Sequence, residues 1–278
     1  MSQIEKAVAR HYTTGALTDR VRDALIASGV DPDAATVADL KAGDEFHTGG
    51  VAATDNLFNQ LSPTHATRVL DIGCGIGGTS RYVADRYDST VTGVDLTPEF
   101  VETAKALSDL VGLSHKVDFV EGSALDMPLD DAGFDLAVML HVGMNIEDKA
   151  GLFAEVSRVL ATGGTFALFD VMGGPTAEPL AFPLPWSTLP ETSFVHAPEV
   201  YKEAAEAAGL TLETENDRTD FALAFFEEVF AKVAKDGPAP LGIHLMMGGT
   251  APEKFQNYVA NLEAGRIRPT EMIFKKTG

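Results

Sequence analysis

The stretch RVLDIGCGIGGTSRYVADRY, residues 68–87, restricts what this chain can fold into more than any other part of it. An apolar run long enough for one buried strand ends in glycines at 73, 75, 77 and 78, and a segment with helical spacing follows at once. A turn without Cβ atoms lets backbone approach a ligand closely, and the helix leaving it aims free N–H groups the same way. Strand, glycine turn and helix in that order point to a sheet with helices packed on it.

The alternation continues along the chain. Residues 68–72, 90–95 (TVTGVD), 116–120 (KVDFV), 134–140 (FDLAVML) and 165–171 (TFALFDV) are short runs rich in Val, Ile, Leu and Phe, as buried strands are. Between them, Thr97-Pro98-Glu99 opens a helix that runs through Phe100, Val101, Ala104, Leu107 and Leu110. Another runs from Asp148 through Leu152, Val156 and Leu160 to a stop at Gly163-Gly164. This predicts an α/β fold, a Rossmann-like doubly wound sheet with helices on both faces. Four segments are expected. Residues 1–60 form an N-terminal helical cap ending in GDEFHTGG (43–50); 61–172 form the ligand-binding core; 173–197, with five prolines, form a lid loop; 198–278 add helices and strands that complete the sheet around an inserted cap.

Composition removes several classes of function. With 21 basic and 41 acidic residues the formal charge is −20, a field that repels phosphate backbones and anionic lipid surfaces, so neither nucleic acid nor a membrane is an expected partner. No apolar run approaches the ~20 residues needed to span a bilayer, and no signal-like segment opens the chain, so a cytoplasmic address is expected. The single cysteine, Cys74, excludes an internal disulfide framework. No two histidines pair at metal-binding helical spacing, and no metal is expected. Oligomeric state is not readable.

Gly73, Gly75 and Gly78 satisfy G-x-G-x-x-G, a turn that serves NAD, FAD and S-adenosylmethionine alike. Asp95 closes the second strand 20 residues after Gly75, where an acid can accept both ribose hydroxyls of any of these. Asp71, two residues before the first glycine, is less typical of dinucleotide enzymes. It can orient the loop or, through water, a ligand ammonium, which S-adenosylmethionine has.

At this point residues 66–172 resemble the class I S-adenosylmethionine-dependent methyltransferases. VLDIGCGIGG, VTGVDLTPEFVETAK, VDFVEGSALDMPL and FDLAVMLHVGMNI are similar to their four motifs, in order. The resemblance implies S-adenosyl-L-methionine as cofactor, with Gly73, Gly75 and Gly77 around its amino-acid moiety, Asp95 on the ribose and Leu96 on the adenine. Ala124 and Leu125 would line the adenine edge, beside Ser123 where the family often has Asp, and His141 would reach the methyl-transfer site. It also implies a seventh, antiparallel strand, expected at TEMIFKK (270–276). DEFHTGG, PLPWSTLPETSF and NLEAGRI further resemble the small-molecule branch containing sarcosine and dimethylglycine N-methyltransferases and their tocopherol and sterol methyltransferase relatives. The implied partner is a small-molecule methyl acceptor, an amine of the sarcosine type ahead of oxygen or carbon acceptors. A cofactor-binding protein without catalysis and a nicotinamide-dependent oxidoreductase stand as alternatives.

The candidates for chemistry follow. His141, just past the fourth strand, is a base or a substrate orienter, and Tyr12 is its candidate partner. His47, beside Phe46 and Gly49-Gly50, closes over the cofactor or holds its loop. Trp186, the one tryptophan, precedes Glu191 by five residues, and indole and carboxylate together suit a methylated ammonium. Met246 is a candidate lining residue of the substrate pocket.

Overall fold

The structure, a computed structural model, describes residues 1–277. Among these residues seven strands form one sheet: β1 (Arg68–Ile72), β2 (Thr90–Asp95), β3 (Val117–Glu121), β4 (Phe134–Leu140), β5 (Leu160–Gly173), β6 (Leu210–Asp217) and β7 (Ile267–Lys276). Their order is β3-β2-β1-β4-β5-β7-β6. β1 pairs in parallel with both β2 and β4, while β7 runs antiparallel to both β5 and β6, so the last strand is the reversed one, as expected.

The cap opens with α1 (Gln3–Tyr12), α2 (Leu17–Ala27) and α3 (Val37–Asp44). α4 (Gly50–Leu61) was expected in that cap but packs on the sheet. Its Ala53, Leu57 and Phe58 share a buried cluster with α5 (Gly78–Tyr87), α6 (Pro98–Leu110) and the strand residues Val69, Val91, Val138 and Ala167. The opposite face is covered by α7 (Lys149–Val159) and α8 (Pro198–Ala207). There Phe153 stands edge-on to Phe166 and Phe274, ring centroids 5.5 Å away in each case. Such pairs add about 0.5–1.5 kcal/mol beyond the area they bury.

One boundary differs from expectation. α7 ends at Val159 and the chain enters β5 at Leu160, so Gly163-Gly164 is not a helix stop. The pair lies in an irregularity of the β4–β5 register, where Phe134 faces Leu160 but Leu136 faces Thr165, and Gly163 takes the positive φ that the extra residues require.

After β6 come α9 (Thr219–Asp236), α10 (His244–Met247) and α11 (Ala251–Glu263). α9 and α11 pack with the proline-rich segment 173–197 in a cluster of Leu184, Trp186, Phe226, Tyr258 and Leu262. α2, α3 and α10 close a separate cluster around Leu25, Leu40 and Phe100. The two clusters flank the carboxyl edge of the sheet. Glu99, in the first turn of α6, accepts the N–H groups of Thr14 and Leu17 and fixes the first cap segment to the core. Among the described residues, no helix is long and apolar enough to cross a membrane.

Candidate active site

β1 and β4 lie side by side, but the helices that follow them leave to opposite faces, α5 to one and α7 to the other. The loops separate there and open a crevice at the strand ends. A cavity of about 310 Å³ fills it, within the range of ligand sites.

The glycine turn forms its floor. Gly75 takes φ +55°, and a Cβ built on it would meet nothing within 4 Å, because it would point into the cavity. Gly78 is the opposite case: a Cβ there would lie 1.9 Å from the Asp44 carbonyl oxygen, so its absence lets the cap loop rest on the turn. Gly77, expected against the ligand, does not line the cavity; it caps the N-terminus of α5 in a left-handed conformation, with Phe119 and Arg81 behind it.

Asp95 holds this geometry. One carboxylate oxygen accepts the Gly75 N–H at 2.9 Å and the other the Thr97 N–H at 2.8 Å. The carboxylate also lines the cavity, where its remaining lone pairs are free to accept. Burial raises its pKa against these bonds. Asp71 accepts from the Ser80 hydroxyl at 2.6 Å, and its pKa is pushed up to about 7 by burial, with Glu45 and Asp95 adding to the effect and the Ser80 bond opposing it. Leu96, Ala124 and Leu125 line the cavity as well. Ser123 does too, but its hydroxyl accepts from the Leu125 N–H at 3.1 Å and donates to Glu5, so α1 brings a carboxylate to the wall.

The cap loop contributes a group that sequence patterning missed. Asp44 binds the buried Arg81 guanidinium through Oδ2 at 2.9 Å, whereas Oδ1 is buried without a hydrogen-bond partner, Lys41 Nζ standing 3.7 Å away. A cavity-lining carboxylate with one free oxygen beside the glycine turn is suited to a ligand ammonium. Its one signal in the sequence is GDEFHTGG, two acids next to a histidine in an otherwise irregular stretch.

A second, smaller space of about 40 Å³ adjoins the first. Tyr12, Phe46, His47 and His141 line both, so these four stand where the two meet. The rest of its wall is mostly aromatic, with Trp186, Phe225, Phe226, Phe255 and Tyr258, and it contains no Asp, Glu, Lys or Arg. The indole N–H of Trp186 donates to Ser193 at 3.0 Å. Two expected substrate residues are elsewhere. Glu191 is exposed in a short helical turn, Pro190–Thr192, and lines neither space. Met246 is buried in the cap cluster with Leu25 and Phe100 and lines neither space.

His141 sits at the end of β4 with φ +55°, an uncommon conformation for a residue with a Cβ, and donates its N–H to the Phe169 carbonyl at 2.7 Å. Its Nδ1 accepts the Thr48 N–H at 3.4 Å, which puts the ring proton on Nε2, a buried atom without a partner. Burial, with His47 nearby, holds its pKa well below the usual histidine value. Tyr12 does not bond to it. The phenol donates to Asn145 Oδ1 at 2.9 Å, and Asn145 in turn donates to the carbonyls of Trp186 and Thr192, joining α1 to the proline-rich segment 173–197. Among the described residues no three His, Cys, Asp or Glu side chains are grouped as metal ligands would be.

Residues 70–168 match a family described as a methyltransferase domain. An ajmaline N-methyltransferase of Rauvolfia serpentina is 43% identical over 102 residues, 37% of this chain and 35% of that protein. A tocopherol O-methyltransferase of Arabidopsis thaliana is 40% identical over 97 residues, 35% of this chain and 28% of its own length. The matches thus span about a third of the length of these relatives. The geranyl diphosphate C-methyltransferase of Streptomyces coelicolor A3(2), solved with Mg2+, geranyl diphosphate and S-adenosyl-L-homocysteine, covers 99% of this chain and 98% of its own. It superposes with a TM-score of 0.73 at 18% identity, a likeness of fold.

Proposed function

We propose that the class I methyltransferase core of this chain binds S-adenosylmethionine in the larger cavity and passes the methyl group to a small, largely apolar molecule at the junction with the smaller one. One observation carries this reading: the two spaces meet at four residues, and the acidic groups line the larger space alone. The residues present fit the cofactor. Asp95 has lone pairs left for the ribose hydroxyls, Gly75 leaves room for the chain beyond them, and Asp71 with the free oxygen of Asp44 suits the ammonium. Leu96 and Ala124 offer apolar surface to the base.

When bound, the cofactor supplies a methyl group on a sulfonium centre, already electrophilic. The protein has then to align the acceptor and exclude water. The aromatic wall does the first. The second falls to the cap and lid, stitched together by Asn145 and by the bond between the His11 ring and the Pro185 carbonyl. An amine of the sarcosine kind is the less favoured acceptor, because its carboxylate would enter a space lined by no Lys or Arg. Calorimetric titration with S-adenosylhomocysteine and with NADH tests the cofactor, and labelled methyl donor with a metabolite panel tests the transfer. Binding of NADH alone, or no transfer to any acceptor, would remove the reading.

A further inference from the structure

We infer that His47, backed by Glu45, is the proton acceptor for the methyl-transfer step; this rests on the methyl-transfer reading and goes beyond it by assigning a catalytic group in the cap loop. Three titratable side chains reach the junction of the two spaces, and hydrogen bonding decides between them. Tyr12 has committed its hydroxyl proton to Asn145. His141 accepts the Thr48 N–H at Nδ1, so its remaining nitrogen carries a proton and can only donate. His47 is arranged the other way. Its Nε2 lies 3.2 Å from the Gly50 carbonyl, which can only accept, so Nε2 holds the proton and Nδ1 is left with a lone pair. Nδ1 makes no hydrogen bond among the described residues and, unlike His141 Nε2, is not sealed from solvent.

Glu45 completes the arrangement. Its Oε2 stands 3.6 Å from His47 Nε2 and accepts the Thr54 hydroxyl at 2.9 Å, while Oε1 binds Lys41 at 2.7 Å. Burial pushes the Glu45 pKa up, but the Lys41 ammonium foremost, with these bonds, pulls it below the usual value and keeps the carboxylate ionised. Burial holds His47 below the usual histidine value with Glu45 opposing, so the ring is neutral at rest and has a negative charge behind it when it takes a proton. The charged groups facing it are Lys41, Asp44 and Glu45 from its own segment; His141 from the end of β4, Thr54 from α4 and Phe169 from β5 are neutral.

The step balances. The acceptor's oxygen or nitrogen forms its new bond to the methyl carbon as the carbon–sulfur bond breaks; that bonding pair passes to sulfur, and the acceptor's proton passes to His47 Nδ1. A neutral amine needs no base during attack, so a base built here suits a hydroxyl or phenol on an apolar body.

The experiment uses the protein with 15N-labelled histidines, saturated with S-adenosylhomocysteine, with ring resonances assigned through His47→Gln and His141→Asn. At pH 7 the His47 ring should be neutral, protonated at Nε2 and bare at Nδ1, and Glu45→Gln should move its titration to lower pH. Protonation at Nδ1, or a titration indifferent to Glu45, overturns the proposal without any acceptor being known. With an acceptor from the panel, single-turnover transfer should fall about 10²- to 10⁴-fold in His47→Gln while affinity for S-adenosylhomocysteine stays within a few-fold. The same rate in His47→Gln, and in His47→Asn as a second variant, overturns it. Failure to bind S-adenosylhomocysteine would instead remove the methyl-transfer reading.

Discussion

Asp95→Asn should weaken both the fold and the ligand site, because one carboxylate serves both. The aspartate accepts two backbone N–H groups, from Gly75 at 2.9 Å and Thr97 at 2.8 Å. An amide of the same shape keeps one acceptor oxygen and turns its NH2 toward the other N–H, so one bond is lost and the other becomes neutral. A hydrogen bond to a charged group is worth about 1.5–3 kcal/mol. Relief of a buried charge, visible in the raised pKa, returns part of this, leaving a net cost of about 2 kcal/mol. For a chain of this size that lowers Tm by about 4–8 °C. The ribose hydroxyls lose a charged acceptor as well, a further ~1.5–3 kcal/mol, or roughly 10- to 150-fold in affinity. Thermal unfolding of the free protein and calorimetric titration with S-adenosylhomocysteine measure the two separately. Loss of Tm at parent affinity would make Asp95 only a turn-holding residue, and the ribose assignment would be wrong.

Three other variants test the cavity from different sides. Gly75→Ala places a methyl in open cavity space at a positive φ, so it should cost about 1 kcal/mol of stability yet abolish measurable binding of S-adenosylhomocysteine; parent affinity would show that the ligand does not cross the glycine turn. Glu5→Gln removes the charge that α1 brings to Ser123. It should reduce affinity for S-adenosylhomocysteine about tenfold and narrow its preference over the inosine analogue, whose six-position offers no amino donor; an unchanged preference would place the base elsewhere. Asp71, whose pKa is pushed up from 3.8 to about 7, keeps a proton in the folded protein that the unfolded chain has already released between those values, so its contribution to stability falls as pH rises through that window. A ligand ammonium favours the ionised form, so binding should release a proton below pH 7 and tighten toward it. Titrations in buffers of different ionisation enthalpy measure that release, which Asp71→Asn should abolish.

What was legible in the sequence follows contact range. The strands were, because β1, β2 and β4 are covered on both faces and so read as continuous apolar runs. The glycine turn itself was, because a turn's residues lie near one another in sequence, although Gly77 caps α5 and does not line the cavity. The pair Gly163-Gly164 was misread because glycines after a helix normally end it, whereas here a positive φ serves a strand irregularity. Glu191 was misplaced because spacing along an irregular segment says nothing about which way a side chain points. Asp44 reaches Arg81, 37 residues away, and Thr48 reaches His141, 93 residues away. No local pattern encodes such pairs.

The cap loop explains why the hidden part of the site is also the chemically richest. Lys41, Asp44, Glu45 and Arg81 are buried or nearly so, held against one another by ion pairs of 2.7 and 2.9 Å. Burying such groups costs several kcal/mol per ion, and well-packed apolar residues of similar volume often do as well or better, so the network is a poor device for stability alone. Its ends show what else it does. Most polar atoms are matched, to Thr54, to the Gly78 carbonyl, to Ser108, but Asp44 Oδ1 and Arg81 Nε are buried without a partner, and His47 makes its ring hydrogen bonds through Nε2 alone. Of these three residues only Asp44 and His47 line the larger cavity, Asp44 beside the glycine turn and His47 at the junction with the aromatic space. Buried networks are stable when every member is satisfied, so two open positions on the cavity wall are where ligand atoms complete this one. A cation belongs at the carboxylate and a proton donor at the imidazole, the two complementary groups that a sulfonium cofactor's ammonium and a hydroxyl acceptor bring.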